Sequence, residues 1–125
     1  MAGETILIVD DNPMNLKLAQ VLLASQGYEV RTAVDAEDAL ALLRGFTPRL
    51  ILMDVQLPGM DGLELTRRLK ADPALRSVII LAVTSYAMKG DDERILAAGC
   101  DGYIAKPIDT RRLPEQVAEF LRAAE

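Results

Sequence analysis

The sequence predicts an α/β domain in which helices cover both faces of a parallel β-sheet. Short apolar runs alternate with segments of helical periodicity along the whole chain, giving the order β-α five times, and this alternation is typical of βαβ units. The runs at 6–9, 50–53 and 79–83 are apolar at every position, as expected for strands that are buried on both faces. A chain of 125 residues, 50% of them hydrophobic, suits one domain with its own core.

The second strand has a different pattern from the other strands. In the segment 28–34, the apolar residues Tyr28 and Val30 alternate with the charged residues Glu29 and Arg31. Because successive side chains of a strand point to opposite faces, this alternation indicates an edge strand with one wetter face.

The first two helices carry recognisable boundary residues. Asn12 is a predicted N-cap, followed by Pro13 at the first helical position. Gly27 is the predicted C′ residue of the same helix. Asp35 and Gly45 are the predicted start and stop of the second helix.

Apolar stripes define the other helical segments. The stripes are Ala36, Ala39, Leu40 and Leu43 in the second helix, and Leu113, Val117, Phe120 and Leu121 in the last helix. A third helix is predicted at 62–71. The segment 88–98 has the weakest pattern because alanines dominate it and three acidic residues stand together. We expect it to be the least stable helix and the one most able to shift.

Composition argues against several classes of function. The net charge of −5 and the absence of long basic runs disfavour direct nucleic-acid binding. The single cysteine, Cys100, excludes an intrachain disulfide and a cysteine-based zinc site, and it fits a reducing, cytoplasmic compartment. The absence of histidine removes Ser-His-Asp and Cys-His catalysis. No segment has the pattern of a signal peptide or of a membrane span.

Polar side chains follow the predicted strands at the point where each strand ends. Asp10 and Asp11 follow the first strand, Asp54 the third, Thr84 the fourth and Lys106 the fifth. Because parallel strands end at the same edge of a sheet, we expect these groups to meet there. Open α/β sheets bind their ligands at that edge.

This combination of groups predicts phosphoryl chemistry supported by a metal ion. Carboxylates that lie close together in a cleft repel one another, and a divalent cation relieves the repulsion. Mg²⁺ prefers oxygen ligands, and Mn²⁺ is an acceptable substitute. A carboxylate can itself be phosphorylated, so Asp54 is the predicted nucleophile, with Lys106 and Thr84 holding phosphoryl oxygens. From spacing alone, Ser85 is as good a hydroxyl donor as Thr84, although Ser85 also suits a helix N-cap.

These strand-end motifs resemble the receiver domain of bacterial two-component response regulators. The matching stretches are Ile8-Val9-Asp10-Asp11-Asn12, Met53-Asp54-Val55-Gln56-Leu57-Pro58-Gly59-Met60-Asp61-Gly62, Ala82-Val83-Thr84-Ser85 and Ala105-Lys106-Pro107-Ile108. They follow the family's order and spacing over nearly the whole chain. The stretch 82–108 is most similar to a class of single-domain cell-cycle regulators within that family.

The resemblance implies a fold and a domain organisation. The expected fold is flavodoxin-like, (βα)5, with a five-stranded parallel sheet of strand order 2-1-3-4-5 and helices on both faces. The expected organisation is one receiver domain over residues 1–125 with no output domain. The resemblance also implies a cis bond between Lys106 and Pro107.

The resemblance also implies a role for each strand-end residue. Asp54 matches the phosphoacceptor, Asp10 and Asp11 match the acidic pair that binds Mg²⁺ together with Asp54, and Gln56 matches the residue whose backbone carbonyl completes the metal site. Thr84 and Lys106 match the groups that bind the phosphoryl oxygens. Thr84 and Tyr103 match the switch pair, although Tyr103 also suits a core position at a strand end. Gln56 and Tyr86 match positions that tune phosphoryl lifetime.

The expected function is a signalling switch rather than an enzyme. A sensor histidine kinase or a histidine phosphotransfer protein would phosphorylate Asp54, and the surface formed by 88–98, 103–108 and 111–121 would then bind a downstream protein. Nucleic acid and membrane insertion are not expected, and the protein would be a monomer or a phosphorylation-dependent dimer.

Three alternatives remain at this point. The first is that the chain is the receiver of a larger hybrid kinase. A Mg²⁺-dependent aspartyl phosphatase would place a second acid two residues after the nucleophile and add a capping insertion, whereas here Val55-Gln56 follows Asp54. A flavin-binding module would need a phosphate-cradling loop after the first strand, where this chain has Asp10 and Asp11 instead.

Overall fold

Five parallel strands form one sheet of order β2-β1-β3-β4-β5 in the computed structural model, which describes residues 3–85 and 91–123. The elements are β1 (Thr5–Val9), α1 (Pro13–Ala24), β2 (Glu29–Ala33), α2 (Ala36–Leu43), β3 (Leu50–Asp54), α3 (Gly62–Ala71), β4 (Ile79–Thr84), α4 (Asp91–Ala97), β5 (Gly102–Ala105) and α5 (Leu113–Ala123). The predicted fold class and strand order are confirmed.

The burial of the strands follows their sequence patterns. Every residue of β3 and β4 is buried, because these strands lie inside the sheet and helices cover both of their faces. In the edge strand β2, Glu29 and Arg31 are exposed while Val30 and Thr32 are partly covered. The predicted wet edge strand is therefore confirmed.

Two apolar layers lie on opposite faces of the sheet. Alternate residues of β1 enter different layers: Leu7 and Val9 pack in the layer that contains α2, α3 and α4 residues, whereas Ile6 and Ile8 pack with α1 and α5 residues. Alternation of this kind follows from the period of two in a strand. Because both layers are anchored on the same central strands, the ends of those strands are held firmly in place.

The helix boundaries agree closely with the sequence signals. Asn12 caps α1 by accepting hydrogen bonds from the N–H groups of Met14 and Asn15, and Asp35 caps α2. Gly27 has a positive φ of 93°. Because Ser25 is the C-cap of α1, Gly27 is the second residue after the cap, not the first as predicted.

The predicted helix 88–98 is described only in part. The structure describes α4 over Asp91–Ala97, and the beginning of the predicted segment, together with Tyr86, lies outside the described residues. The α3 prediction of 62–71 is confirmed. Among the helices of residues 3–85 and 91–123, none is long and apolar enough to cross a membrane.

Gly62 lets α3 begin directly against the end of β3. Its N–H donates to the carbonyl of Val55 at 2.9 Å, and a Cβ atom at this position would overlap the carbonyl oxygen of Asp54. Only glycine permits so close an approach of the two backbones. The first turn of α3 therefore supports the residue that ends β3.

Replacing Gly62 with alanine is expected to destabilise the fold. The added methyl group must push α3 away from Asp54, at a cost of about 1–3 kcal/mol of unfolding free energy, as for other overpacked sites. Urea unfolding of Gly62→Ala measures this cost. Gly45→Ala is the matched control, because a Cβ there meets nothing closer than a carbonyl oxygen at 3.8 Å. Equal urea midpoints for the two variants would contradict the packing argument.

Candidate functional site

The carboxyl ends of β1, β3, β4 and β5 bring the predicted polar residues to one edge of the sheet. Asp54 is the last residue of β3 and Thr84 the last of β4. Asp10 follows β1, where its N–H donates to the carbonyl of Ala33 at 3.1 Å. Lys106 follows β5 and is tied to β4, because its N–H donates to the carbonyl of Thr84 at 2.8 Å. Backbone hydrogen bonds to neighbouring strands thus hold Asp10 and Lys106 in position.

Three carboxylates converge at this edge. Asp10, Asp11 and Asp54 each place an oxygen within 4.8 Å of the others. Asp10 and Asp54 are only 5% and 3% exposed, whereas Asp11 is open to solvent. The predicted convergence of these residues is therefore confirmed.

The first buried carboxyl, that of Asp10, is costly to ionise. Burial raises the pKa of Asp10, and the nearby charge of Asp54 raises it further. The N–H of Asn12, which donates to Asp10 Oδ1 at 2.9 Å, and the charge of Lys106 lower that pKa without cancelling the rise. Burial, more than the neighbouring charge, therefore makes the ionised form of Asp10 unfavourable in the absence of a cation.

The second buried carboxylate, that of Asp54, has a defined partner for each oxygen. The N–H of Gln56 donates to Oδ1 at 3.0 Å, and the ammonium of Lys106 lies 3.2 Å from Oδ2. These contacts orient the carboxylate and offset part of its charge. The donor set consists only of oxygen atoms, which suits a hard divalent cation such as Mg²⁺ or Mn²⁺.

The two neighbouring hydroxyls at the end of β4 have different surroundings. Thr84 is buried, and in the sheet it pairs with Ala105, the residue that precedes Lys106. Ser85 is exposed, with its Oγ 3.5 Å from Oε1 of Gln56. The helix start that Ser85 would cap lies outside the residues that the structure describes.

The remaining predicted residues lie on or beside β5. Tyr103 is 47% exposed, between the buried residues Gly102 and Ile104. This exposure excludes the simple core role for Tyr103. The peptide bond between Lys106 and Pro107 is cis, as predicted.

The sequence analysis missed an apolar stripe on the outer face of α1. Met14, Leu18 and Val21 are exposed there, with Met14 80% accessible. They are spaced at i, i+4 and i+7, opposite the buried stripe of Leu16, Ala19 and Leu23. The signal was present in the sequence, because α1 is apolar on more faces than one helix needs to cover a sheet.

A groove of about 410 Å³ connects this stripe to the acidic edge. Its walls are Asn15, Leu18, Ser85, Lys106, Pro107 and Ile108. Leu18 therefore belongs both to the exposed stripe and to the groove that contains Lys106. The apolar face of α1 is continuous with the approach to the carboxylate cluster.

Comparisons with known proteins agree on one family. Residues 6–118 match the model of the response regulator receiver domain. The polar-differentiation response regulator DivK of Brucella anthropi is 46% identical over 118 residues, which are 94% of this chain and 96% of the relative.

Solved structures agree with the sequence comparison. A response regulator receiver domain protein from Methanospirillum hungatei superposes with a TM-score of 0.89 and 34% identity, covering 98% of this chain and 97% of the other. The signal receiver domain of a signal transduction histidine kinase from Syntrophus aciditrophicus superposes with a TM-score of 0.88 and 32% identity, covering 96% of this chain and 91% of the other. The sequence resemblance is confirmed, and the chain belongs to the receiver domains of two-component response regulators.

Proposed function

We propose that this protein is a phosphorylation-activated switch whose phosphoacceptor is Asp54. The observation that carries the proposal is the state of the Asp54 side chain: it is buried, oriented by Gln56 and Lys106, and surrounded by a carboxylate cluster at the sheet edge. A sensor histidine kinase or a histidine phosphotransfer protein is the proposed donor. The resemblance to the polar-differentiation response regulator DivK supports a role as a response regulator.

The proposed chemistry is a transfer between a donor histidine and Asp54. A carboxylate oxygen of Asp54 forms a bond to phosphorus while the P–N bond of the donor's phosphohistidine breaks, and the imidazole nitrogen leaves with the electron pair. Lys106, already 3.2 Å from Asp54 Oδ2, is placed to hold a phosphoryl oxygen. Thr84 is proposed to hold another.

A metal ion is proposed to occupy the acidic cluster. Asp10, Asp11 and Asp54 would hold it together with the backbone carbonyl of Gln56, and the oxygen-only donor set supports Mg²⁺, with Mn²⁺ as a substitute. The bound ion would supply positive charge to the phosphoryl oxygens during transfer. It would also favour the ionised form of Asp10, whose pKa is raised by burial and by the neighbouring Asp54.

The proposed output surface comprises residues 88–98, 103–108 and 111–121. Its described part includes two exposed hydrophobic side chains on neighbouring elements, Leu96 of α4 and Tyr103 of β5. Thr84 and Tyr103 are the proposed switch pair, since both lie on the strands that connect this surface to the acidic edge. A downstream protein or a second copy of the chain would bind there.

The outer face of α1 is proposed to dock the phosphodonor. A donor must bring its imidazole to Asp54, and the stripe of Met14, Leu18 and Val21 leads into the groove that contains Lys106. An apolar helix face on the donor would cover these side chains. This assignment separates the donor surface from the output surface.

Two organisations of the full protein are consistent with the family. DivK supports a single-domain regulator, because 96% of that relative is matched. The histidine kinase receiver from Syntrophus aciditrophicus supports the alternative, a receiver within a larger hybrid kinase. We favour the single-domain organisation, and with it the cytoplasmic location predicted from the sequence.

Acetyl phosphate and Mg²⁺ are expected to add one phosphoryl group to the wild-type protein. Asp54→Asn should show no increment in intact mass, because an amide oxygen is a poor nucleophile. Asp92→Asn removes an exposed carboxylate outside the cluster and should react like wild type. Chelation of the metal should abolish the increment. A wild-type protein that binds Mg²⁺ yet stays unmodified by acetyl phosphate and phosphoramidate would refute the proposal.

Asp10→Asn is expected to raise the thermal midpoint of the metal-free protein by a few degrees. The pKa of Asp10 is raised, so its ionised form opposes folding and stability falls as the pH rises through that pKa. The amide removes this cost at neutral pH. Differential scanning fluorimetry with EDTA and with excess Mg²⁺ gives both values. We expect Mg²⁺ to stabilise wild type more than Asp10→Asn, and an equal Mg²⁺ response would contradict the metal assignment.

Leu18→Ser is expected to slow phosphotransfer from a phosphorylated donor protein by about tenfold, because covering the exposed part of this leucine, which is 40% accessible, contributes on the order of 1.4 kcal/mol, less than full burial would. Its reaction with acetyl phosphate should be unchanged, since that donor makes no contact with α1. Val34→Ser, which alters an exposed apolar residue after β2, is the matched control. Parallel losses with both donors would place the defect in the site rather than in docking.

A further inference from the structure

Helix α3 is attached at two points to the connection between α4 and β5. Thr66 and Lys70 lie one turn apart on α3, and they contact the consecutive residues Cys100 and Asp101. The connection begins at Gly99, whose positive φ of 107° lets the chain turn sharply after α4. These contacts lie at the edge of the sheet opposite the carboxylate cluster, where β4 and β5 begin.

Lys70 joins three segments through one ammonium group. Its Nζ donates to the carbonyl of Val78 at 2.7 Å, to Asp101 Oδ2 at 3.0 Å and to the carbonyl of Arg76 at 3.1 Å. These acceptors use every N–H donor that an ammonium carries. The side chain is only 20% exposed, and a Cβ at Gly99 would lie 3.0 Å from its Cγ.

Asp101 passes this attachment on to the sheet. Its Oδ2 accepts from the N–H of Ile80 at 2.8 Å as well as from Lys70, and its own N–H donates to the carbonyl of Ile80 at 2.8 Å. The first bonds between β4 and the segment leading into β5 are therefore made by one aspartate. The charge of Lys70 holds Asp101 in position for both of its hydrogen bonds to the backbone of Ile80.

The contact between Thr66 and Cys100 is connected to Asp54 through Gly62. The Thr66 hydroxyl, fully buried, donates to the carbonyl of Gly62 at 2.8 Å, and the Cys100 thiol lies 3.8 Å from the Thr66 oxygen. Gly62 in turn packs on the backbone of Asp54. Helix α3 therefore touches the phosphoacceptor at its first residue and the α4–β5 connection along its length.

We infer that Lys70 is a positioning residue that anchors the α4–β5 connection at Asp101. Because the beginning of β5 is then fixed, a change at Asp54 moves the surface of α4 and β5 relative to that fixed point. This inference rests on the proposed switch function. The anchor matters because β5 is an edge strand, paired only with β4. Removing the Lys70 charge releases that end, and the response at Tyr103 is no longer coupled to the state of Asp54.

The test compares Lys70→Met with Arg68→Met. Methionine keeps the apolar stem that packs against Gly99 but removes the ammonium, and Arg68 is an exposed cation in the same last turn of α3. Amide hydrogen exchange of the unphosphorylated proteins should be about tenfold faster at Ile80 and Asp101 in Lys70→Met alone. Unchanged exchange at both amides would overturn the anchor.

The second readout is the response to phosphorylation. With acetyl phosphate and Mg²⁺, Lys70→Met should gain the same mass increment as wild type, while the change in the Tyr103 amide chemical shift on phosphorylation falls by roughly half or more. A full wild-type response at Tyr103 in Lys70→Met would overturn the coupling. Failure of wild type itself to react would count against the proposed function, and hydrogen exchange would still decide the anchor.

Asp101→Asn provides the same test if Lys70→Met does not fold. The amide keeps an oxygen for the N–H of Ile80 but weakens the bond from Lys70, so exchange at Ile80 should again accelerate. Where Lys70→Met folds, amide exchange at Ile80 in the double variant should be no faster than in Lys70→Met alone, because both changes remove the same ion pair. Additive increases in exchange would show that the two residues act separately and would overturn the inference.

Discussion

The burial of two neighbouring carboxyl groups, Asp10 and Asp54, at one edge of the sheet is the constraint on which the site depends. Both groups lie at the ends of central strands, and moving their backbones apart would break hydrogen bonds of the sheet. The strands resist that movement because both faces of the sheet are covered by apolar layers. The fold therefore holds two buried carboxyl groups side by side, an arrangement that a divalent cation stabilises.

Much of this site could be predicted from sequence because its placement depends on strand ends. A buried strand reads as a short apolar run, and the residue after the run lies at a known edge of a parallel sheet. Asp54 and Lys106 are found in this way and contact each other in the structure. The different surroundings of Thr84, which is buried, and Ser85, which is exposed, required the structure, because adjacent strand residues face opposite sides. The structure was also needed to show that Tyr103 is exposed while its neighbours Gly102 and Ile104 are buried.

Contacts between distant segments left no local signal. The bond between Lys70 and Asp101 joins residues 31 positions apart, and nothing in the sequence near Lys70 distinguishes it from the neighbouring cations of α3. The end of α1 was also predicted only approximately: Gly27 lies one residue further from the helix than predicted, and helix boundaries commonly vary by one or two residues. Sequence patterns thus predict which elements form, whereas side chains that connect elements must be seen in three dimensions.

The two ends of α3 have different chemistry, and the difference bears on the proposed switch. At its first residue, Gly62 brings bare backbone against Asp54, so that a shift of Asp54 is felt directly by the helix. Near its last residue, Lys70 uses a charged group with several acceptors, an arrangement that resists displacement because each bond limits the movement allowed by the others. In the proposed switch, α3 would therefore contact Asp54 through its first residue and hold the α4–β5 connection through Lys70.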